Sequence, residues 1–159
     1  MSFLPTINIQ ISLYVCYEIK NTIMEKYTLD NDISLLCVRA ASFPDGIMAA
    51  HQQLHSLIPF STQRKYFGIS FPDATGTIIY KAAAEELIND EAAEKGLETF
   101  ILKKGEYNSI VISNYMDDLP AIGNAFKELL AIPGIDPEGA CVEWYLSKTD
   151  VQCMVRLKQ

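Results

Sequence analysis

A chain that repeats itself must fold in a way that satisfies both copies, and this one repeats at an interval of 75 residues, with equivalent residues at 50 and 125 and at 54 and 129. Ala50 and Leu54 stand ahead of Pro59, and Ala125 and Leu129 stand ahead of Pro133. The same interval carries ISLLCVRA (33–40) onto NSIVISNY (108–115) and KYFGISF (65–71) onto ACVEWYL (140–146). It also carries GTIIYKA (76–82) onto VQCMVRL (151–157). Four pieces aligned in one order by one offset make a duplication, and each half reads strand, helix, strand, strand.

The spacing of apolar residues predicts a first helix from about Pro44 to Leu57, with Ile47, Ala50, Leu54, Leu57 and Ile58 on one stripe. A second is expected from about Asp118 to Leu130, with Ile122, Ala125, Phe126, Leu129 and Leu130 as its stripe. Asp117 or Asp118 suits its N-cap, Pro120 its first turn, and Pro59 and Pro133 stop the two helices. Between the halves, the acidic stretch 82–96 reads as loop with a short helical turn, and LETFILKKGEY (97–107) as one more strand and a turn. The expected class is α+β: duplicated β-α-β-β units related by a pseudo-twofold, one antiparallel sheet, both helices on one face, and a ligand cleft between the halves.

At 159 residues, this is one domain or two small fused halves. We divide it into an N-terminal extension, residues 1–24, and a domain, 25–159, whose halves run about 32–85 and 97–157. The start of the chain lacks a basic segment, its apolar run is broken by Asn8, Gln10 and Ser12, and it is too short and polar to span a membrane. It reads as a dispensable appendage, and a chain begun at Met24 is expected to fold. A net charge of −7 argues against direct binding to nucleic acid or anionic lipid and tolerates cationic ligands. Cys16, Cys37, Cys141 and Cys153 form no C-x-x-C pair and read as buried reduced thiols of a cytoplasmic protein.

Strand alternation assigns faces. Phe67, Ile69 and Phe71 point one way, as do Val142, Trp144 and Leu146; these wholly apolar sets are expected against the helices. Tyr66, Gly68 and Ser70, with Cys141, Glu143 and Tyr145, then form the opposite face. There Glu143 meets its repeat mate Gly68 across the pseudo-twofold, an acid opposite a residue that leaves room. A lone carboxylate in VEWY is either a solvated outward residue or a charged anchor among aromatic rings, since burying an unpaired charge costs several kcal/mol. The candidate ligand-binding residues are Glu143, Tyr145, Tyr66, Tyr80, Gly68, Cys141, Trp144 and Tyr107, although alternation gives Trp144 a core role as well. His51 and His55 have the spacing to clamp a metal on a helix, but no third ligand is evident and His51 maps onto Phe126, so packing is expected and no metal or cofactor. Phosphate-binding, dinucleotide-binding and serine-hydrolase motifs are absent.

The order FPDGI, HQQLHSLIPF, KYFGIS, IIYKAAAEE, GLETFILKKGEY, AFKELL, IDPEGACVEWYL, VQCMVRL resembles the GyrI-like effector-binding domains, also called AraC-type, over about residues 27–157. The match is best at GEYNSI (105–110), the second helix and CVEWYL. The resemblance implies two β-α-β-β halves that bind amphipathic, often cationic, molecules in the cleft between them. A glutamate on the penultimate strand lies at the bottom of that cleft, and Glu143 is the matching position. In many such proteins the domain follows a helix-turn-helix module and serves multidrug recognition in transcription regulation. This chain leaves no room for that module, and a stand-alone sensor, sequestrant or partner of another protein is expected. Some members hydrolyse reactive electrophiles with the same glutamate.

Two functions follow. In the first, Glu143 holds a cationic or polar group of a small organic ligand between aromatic walls. In the second, Glu143 is the catalytic group of a hydrolase acting on strained or electrophilic compounds. A protein partner docked on the acidic 85–94 stretch, or a second copy of the chain, is a third expectation.

Overall fold

In the computed structural model, which describes residues 23–159, the repeat becomes a single sheet. Along the chain run β1 (Met24–Leu29), β2 (Ile33–Arg39), α1 (Ile47–Leu57), β3 (Tyr66–Pro72), β4 (Ile78–Glu85) and the one-turn α2 (Glu91–Glu94). Then come β5 (Glu98–Leu102), β6 (Gly105–Ile112), a 3-10 turn (Tyr115–Asp117), α3 (Pro120–Leu130), β7 (Cys141–Tyr145) and β8 (Val151–Arg156). Their order across the sheet is β1-β6-β8-β7-β3-β4-β2-β5, every neighbour antiparallel. Residues 1–22 of the N-terminal extension, Cys16 among them, lie outside the described residues, and Met24, the last residue assigned to it, begins β1.

The halves meet at β3 and β7, where Gly68 pairs with Glu143. These two are equivalent in the repeat and also opposite one another, so the pseudo-twofold passes between them. The repeat is longer than four pieces. β1 and β5 are equivalent too, and they are exchanged: β1 pairs with β6 and β5 with β2, so each half receives its outermost strand from the other. Sequence reading missed β1 because Glu25, Lys26 and Thr28 make it a polar edge strand, which shows little apolar signal.

Both helices cover one face. Following the register, Ile110, Cys153, Glu143, Gly68, Ala82 and Val38 form one row across the sheet, and residues directly opposite in an antiparallel pair share a face. α1 seats Ala50 and Leu54 over Val38, Leu36, Ala82 and Ala84 at one end of that row. α3 seats Ala125 and Leu129 over Ile110, Ile112, Cys153 and Val155 at the other. The middle of the row, Glu143 and Gly68, lies between the helices.

This corrects the face assignment. Phe67, Ile69, Phe71, Val142 and Trp144 belong to the face away from the helices, in a core built with Leu29, Leu35, Cys37, Ala83, Leu102, Tyr107 and Met154. That face is closed by the sheet's own curl. Tyr27 on the edge strand β1 lies 5.8 Å, ring to ring, from Trp144 on β7, and Phe100 on β5 lies 6.2 Å from Phe71 on β3. Strands three places apart in a flat sheet would stand about 14 Å apart at the usual strand spacing. Alternation separated the two faces correctly, but both are buried, so an apolar composition did not identify the one beneath the helices. Each fully buried Phe or Ile in the curled core contributes about 1.5–3 kcal/mol.

α3 also differs at its start. The chain makes the 3-10 turn and enters the helix through Leu119 and Pro120, so that Leu119, rather than Asp117 or Asp118, holds the N-cap position. Proline at the first helical position has no N–H to satisfy, which reduces the need for a cap.

Candidate ligand site between the helices

Glu143 sits mid-sheet between α1 and α3, and the absence of a side chain at its neighbour shapes everything around it. A Cβ on Gly68 would collide with the Tyr80 hydroxyl and lie 2.6 Å from Glu143 Oε2. Glycine here is a close-approach position, and it lets Tyr80 reach across from β4. Tyr80 donates to Glu143 Oε2 at 3.1 Å, and Tyr145, two residues along β7 on the same face, donates to the same oxygen at 2.5 Å. The two hydroxyls are 3.2 Å apart. From α1, His51 places Nε2 2.8 Å from the Tyr80 hydroxyl, and its ring packs edge-on to Tyr80 and Tyr145 at 5.8 and 5.4 Å.

Burial sets the protonation states. It raises the Glu143 pKa above its ordinary value, while hydrogen bonds from Tyr145 and then Tyr80 pull the other way. Among the described residues no cation pairs with Glu143. Tyr80 and Tyr145 are driven far above the usual phenol range, first by burial and then by the Glu143 charge, so both stay protonated donors. Burial, and secondarily the charge of His55, pushes His51 down to about 4, which leaves it neutral at pH 7. Cys141 is pushed up to about 11 by burial and then by Glu143, and Cys153 is raised for the same reasons, so neither thiol is a ready nucleophile.

Of the residues singled out from sequence, Glu143, Tyr145, Tyr80 and Gly68 come together. Cys141 shares their face and packs at the α3 side. Tyr66 also shares it, paired across from Tyr145, but lies beneath the end of α1: Ser61 N–H donates to its hydroxyl at 2.9 Å and Phe60 stacks on its ring at 5.4 Å. Trp144 and Tyr107 are not part of this cluster. Trp144 lies against Tyr27 and Phe67 in the curled core, and the buried Tyr107 donates to Lys103 O at 2.5 Å. One step along a strand turns a side chain to the other face, which excludes both.

Sequence reading missed three contributors. His51 was assigned to packing by its mate Phe126, yet it hydrogen-bonds Tyr80. Phe43 stacks on Tyr80 at 6.2 Å, and Tyr115 lies 5.7 Å from Tyr145. Both belong to the irregular segments that lead into α1 and α3, where no periodicity indicates direction. Phe43, Met48, Met116 and Leu119, on those segments and the start of α1, are each about half exposed or more, at 46, 60, 55 and 54%. Of these, Phe43 touches the cluster, through Tyr80. Among the described residues no group of three His, Cys, Asp or Glu side chains could hold a metal, and His51 and His55 turn their rings to tyrosines instead. Two surface hollows of about 380 and 410 Å³ lie by α2 and the β1–β2 turn, with no member of this cluster in their walls. No described helix is long and apolar enough to cross a membrane.

No protein-family model and no curated protein sequence matches the chain. Solved structures do. An integron cassette protein of Vibrio cholerae superposes with a TM-score of 0.62 at 12% identity, over 85% of this chain and 95% of that one. SAV2435, solved bound to tetraphenylphosphonium, gives 0.60 at 11% identity over 86% and 94%. A structure described as a hydrolase from Listeria innocua gives 0.55 at 10% identity over 92% and 97%. At such identities the likeness is one of fold: an α+β chain with a long antiparallel sheet.

Proposed function

We propose that this chain is a small-molecule-binding domain of the GyrI-like effector-binding type, which holds an amphipathic organic cation between α1 and α3 with Glu143 as its anchor. One observation carries the reading: a half-buried carboxylate whose partners, among the described residues, are two tyrosine hydroxyls on a single oxygen, Oε2. Oε1 remains for a ligand. A cation about 4 Å from the carboxylate would gain on the order of 4 kcal/mol at the effective dielectric of a protein surface. The faces of Tyr145, Tyr115 and Phe43 would add roughly 0.5–2 kcal/mol each in cation–π attraction, and the exposed apolar side chains on the segments leading into α1 and α3 suit a greasy body attached to the charge. The tetraphenylphosphonium held by SAV2435 has this chemistry. A cytoplasmic location accords with free thiols at Cys37, Cys141 and Cys153.

The second reading, a hydrolase of small electrophiles, is favoured by one feature of the same site. A carboxylate with a raised pKa, bonded to phenols that stay protonated, can exchange protons with a substrate. The hydrolase of Listeria innocua shares the fold. Titration of tetraphenylphosphonium into wild type and Glu143→Gln, followed by calorimetry, tests the first reading. Binding that weakens tenfold or more in the variant is expected, and equal affinity would remove Glu143 from the site. Incubation with strained electrophiles and mass analysis of the products separates the second, since turnover by wild type alone would make the protein an enzyme.

A further inference from the structure

The Tyr80 hydroxyl has one proton and three neighbours: His51 Nε2 at 2.8 Å, Glu143 Oε2 at 3.1 Å and the Tyr145 hydroxyl at 3.2 Å. Tyr145 is already committed to Glu143. His51 decides where the Tyr80 proton goes. With its proton on Nε2, the imidazole donates to the Tyr80 oxygen, and Tyr80 donates to Glu143. With its proton on Nδ1, Nε2 is an acceptor that takes the Tyr80 proton, and Glu143 loses a donor.

We propose that His51 is a positioning residue for Glu143: through Tyr80, its tautomer sets how many hydroxyl protons the carboxylate receives, and the row His51–Tyr80–Glu143 is a path by which the acid exchanges its proton with solvent when a ligand covers Oε1. The proposal rests on Glu143 being the anchor of the cleft. Its outer end is open. Among the described residues the side-chain nitrogen or oxygen that is buried without a partner is Arg64 Nε, so His51 Nδ1, which no described group bonds, meets solvent.

The proton balance closes. When Glu143 is a carboxylic acid, its O–H donates to the Tyr80 oxygen, Tyr80 donates to His51 Nε2, and Nδ1 carries the ring proton. Deprotonation shifts each proton by one bond: Nδ1–H leaves to water, the Tyr80 proton moves to Nε2, and the carboxyl proton moves to Tyr80. The net change is one proton lost from Glu143, which then accepts from Tyr80 and Tyr145 together. A cation favours the carboxylate while burial favours the acid, so binding releases a proton at the moment the ligand covers Oε1. The row leads out on the α1 side and stays open. The groups that face His51 are His55 on its own helix, Tyr80 on β4 and Tyr145 on β7, with Glu143 beyond Tyr80 and Tyr115 beyond Tyr145.

The test is the ¹⁵N spectrum of the His51 imidazole in ligand-free protein, followed with pH in wild type, Tyr80→Phe and Glu143→Gln. In wild type the neutral ring is expected to change from the Nδ1–H to the Nε2–H tautomer as Glu143 ionises. Both variants are expected to lose the change, Tyr80→Phe because the link is cut and Glu143→Gln because nothing ionises. A single wild-type tautomer across the range, or a change that persists in Tyr80→Phe, would overturn the proposal. The measurement uses no ligand, so a failure to bind tetraphenylphosphonium is a separate result.

Discussion

The two halves of the molecule share a scaffold and differ at its centre. Positions equivalent under the repeat match where they carry weight: Ala50 and Ala125, and Leu54 and Leu129, are all buried on the inner faces of α1 and α3. They diverge where they approach the pseudo-twofold. Gly68 answers Glu143, Tyr80 answers Val155, His51 answers Phe126 and Ser70 answers Tyr145. The cluster is therefore assembled from unequal contributions, Tyr80, His51 and an empty place from one half, Glu143 and Tyr145 from the other. Physical reasons favour this inequality. Two glutamates at paired positions would put like charges face to face. Two glycines would leave the axis without the charge that the proposed ligand needs.

If the scaffold is equal in the two halves, Leu54→Ala and Leu129→Ala should destabilise by similar amounts, about 2–5 kcal/mol each, because both side chains are fully buried. Denaturant midpoints check this, and a difference above about 2 kcal/mol would show that one half dominates the fold. Next in size is Gly68→Ala. Its Cβ would collide with the Tyr80 hydroxyl, and overpacking of this kind costs about 1–3 kcal/mol. Combining it with Tyr80→Phe removes the nearest clashing atom, so the double variant should recover part of the loss. Strict additivity of the two would mean that Gly68 does not hold the place open for Tyr80.

The same contrast explains what the sequence made legible. The duplication, both helices, the order of the repeated strands and the pairing of Gly68 with Glu143 follow from one offset and from apolar spacing, because burial beneath a helix requires similar residues in both copies. β1 carried too much polar sequence to register, and its exchange with β5 is a property of long-range pairing that local pattern does not contain. Trp144 and Tyr107 were grouped with the cleft on aromatic character, but strand parity places them in the curled core. His51 was obscured by the repeat itself: its mate Phe126 points to packing, whereas the members of the Glu143 cluster are positions that depart from their mates.

Glu143→Gln tests the departure at the axis directly. The amide keeps an acceptor for Tyr80 and Tyr145 but carries no charge, so tetraphenylphosphonium affinity should fall by about 1.4 kcal/mol or more, roughly a tenfold change. Stability should move the opposite way. Burial raises the Glu143 pKa above 4.5, so the stability it contributes is fully present below the unfolded value and is lost as pH rises through the folded one. At pH 7 the variant should melt higher than wild type. A lower melting temperature would mean that the carboxylate is stabilised by its surroundings, and the comparison between halves would lose its functional meaning.

His51→Phe makes the first half copy the second at this position, and its effect at neutral pH should be small, about 1 kcal/mol for one lost hydrogen bond. Its signature lies in acid. The folded His51 is pushed down to about 4 from an ordinary 6.5, so between those values the unfolded chain binds more protons and stability rises with pH. The contribution of the neutral, buried ring is present above about 6.5 and is lost as pH falls through 4. One such group gives a slope of at most about 1.4 kcal/mol per pH unit. Glu143 works against that slope over part of the range, so the comparison is best made in a background that carries Glu143→Gln throughout. Adding His51→Phe to that background should flatten the acid limb of the stability profile by up to that amount. An unchanged limb would mean that His51 is solvated rather than held between Tyr80 and Tyr145, and the first half would then contribute only Tyr80 and a vacant position to the cluster.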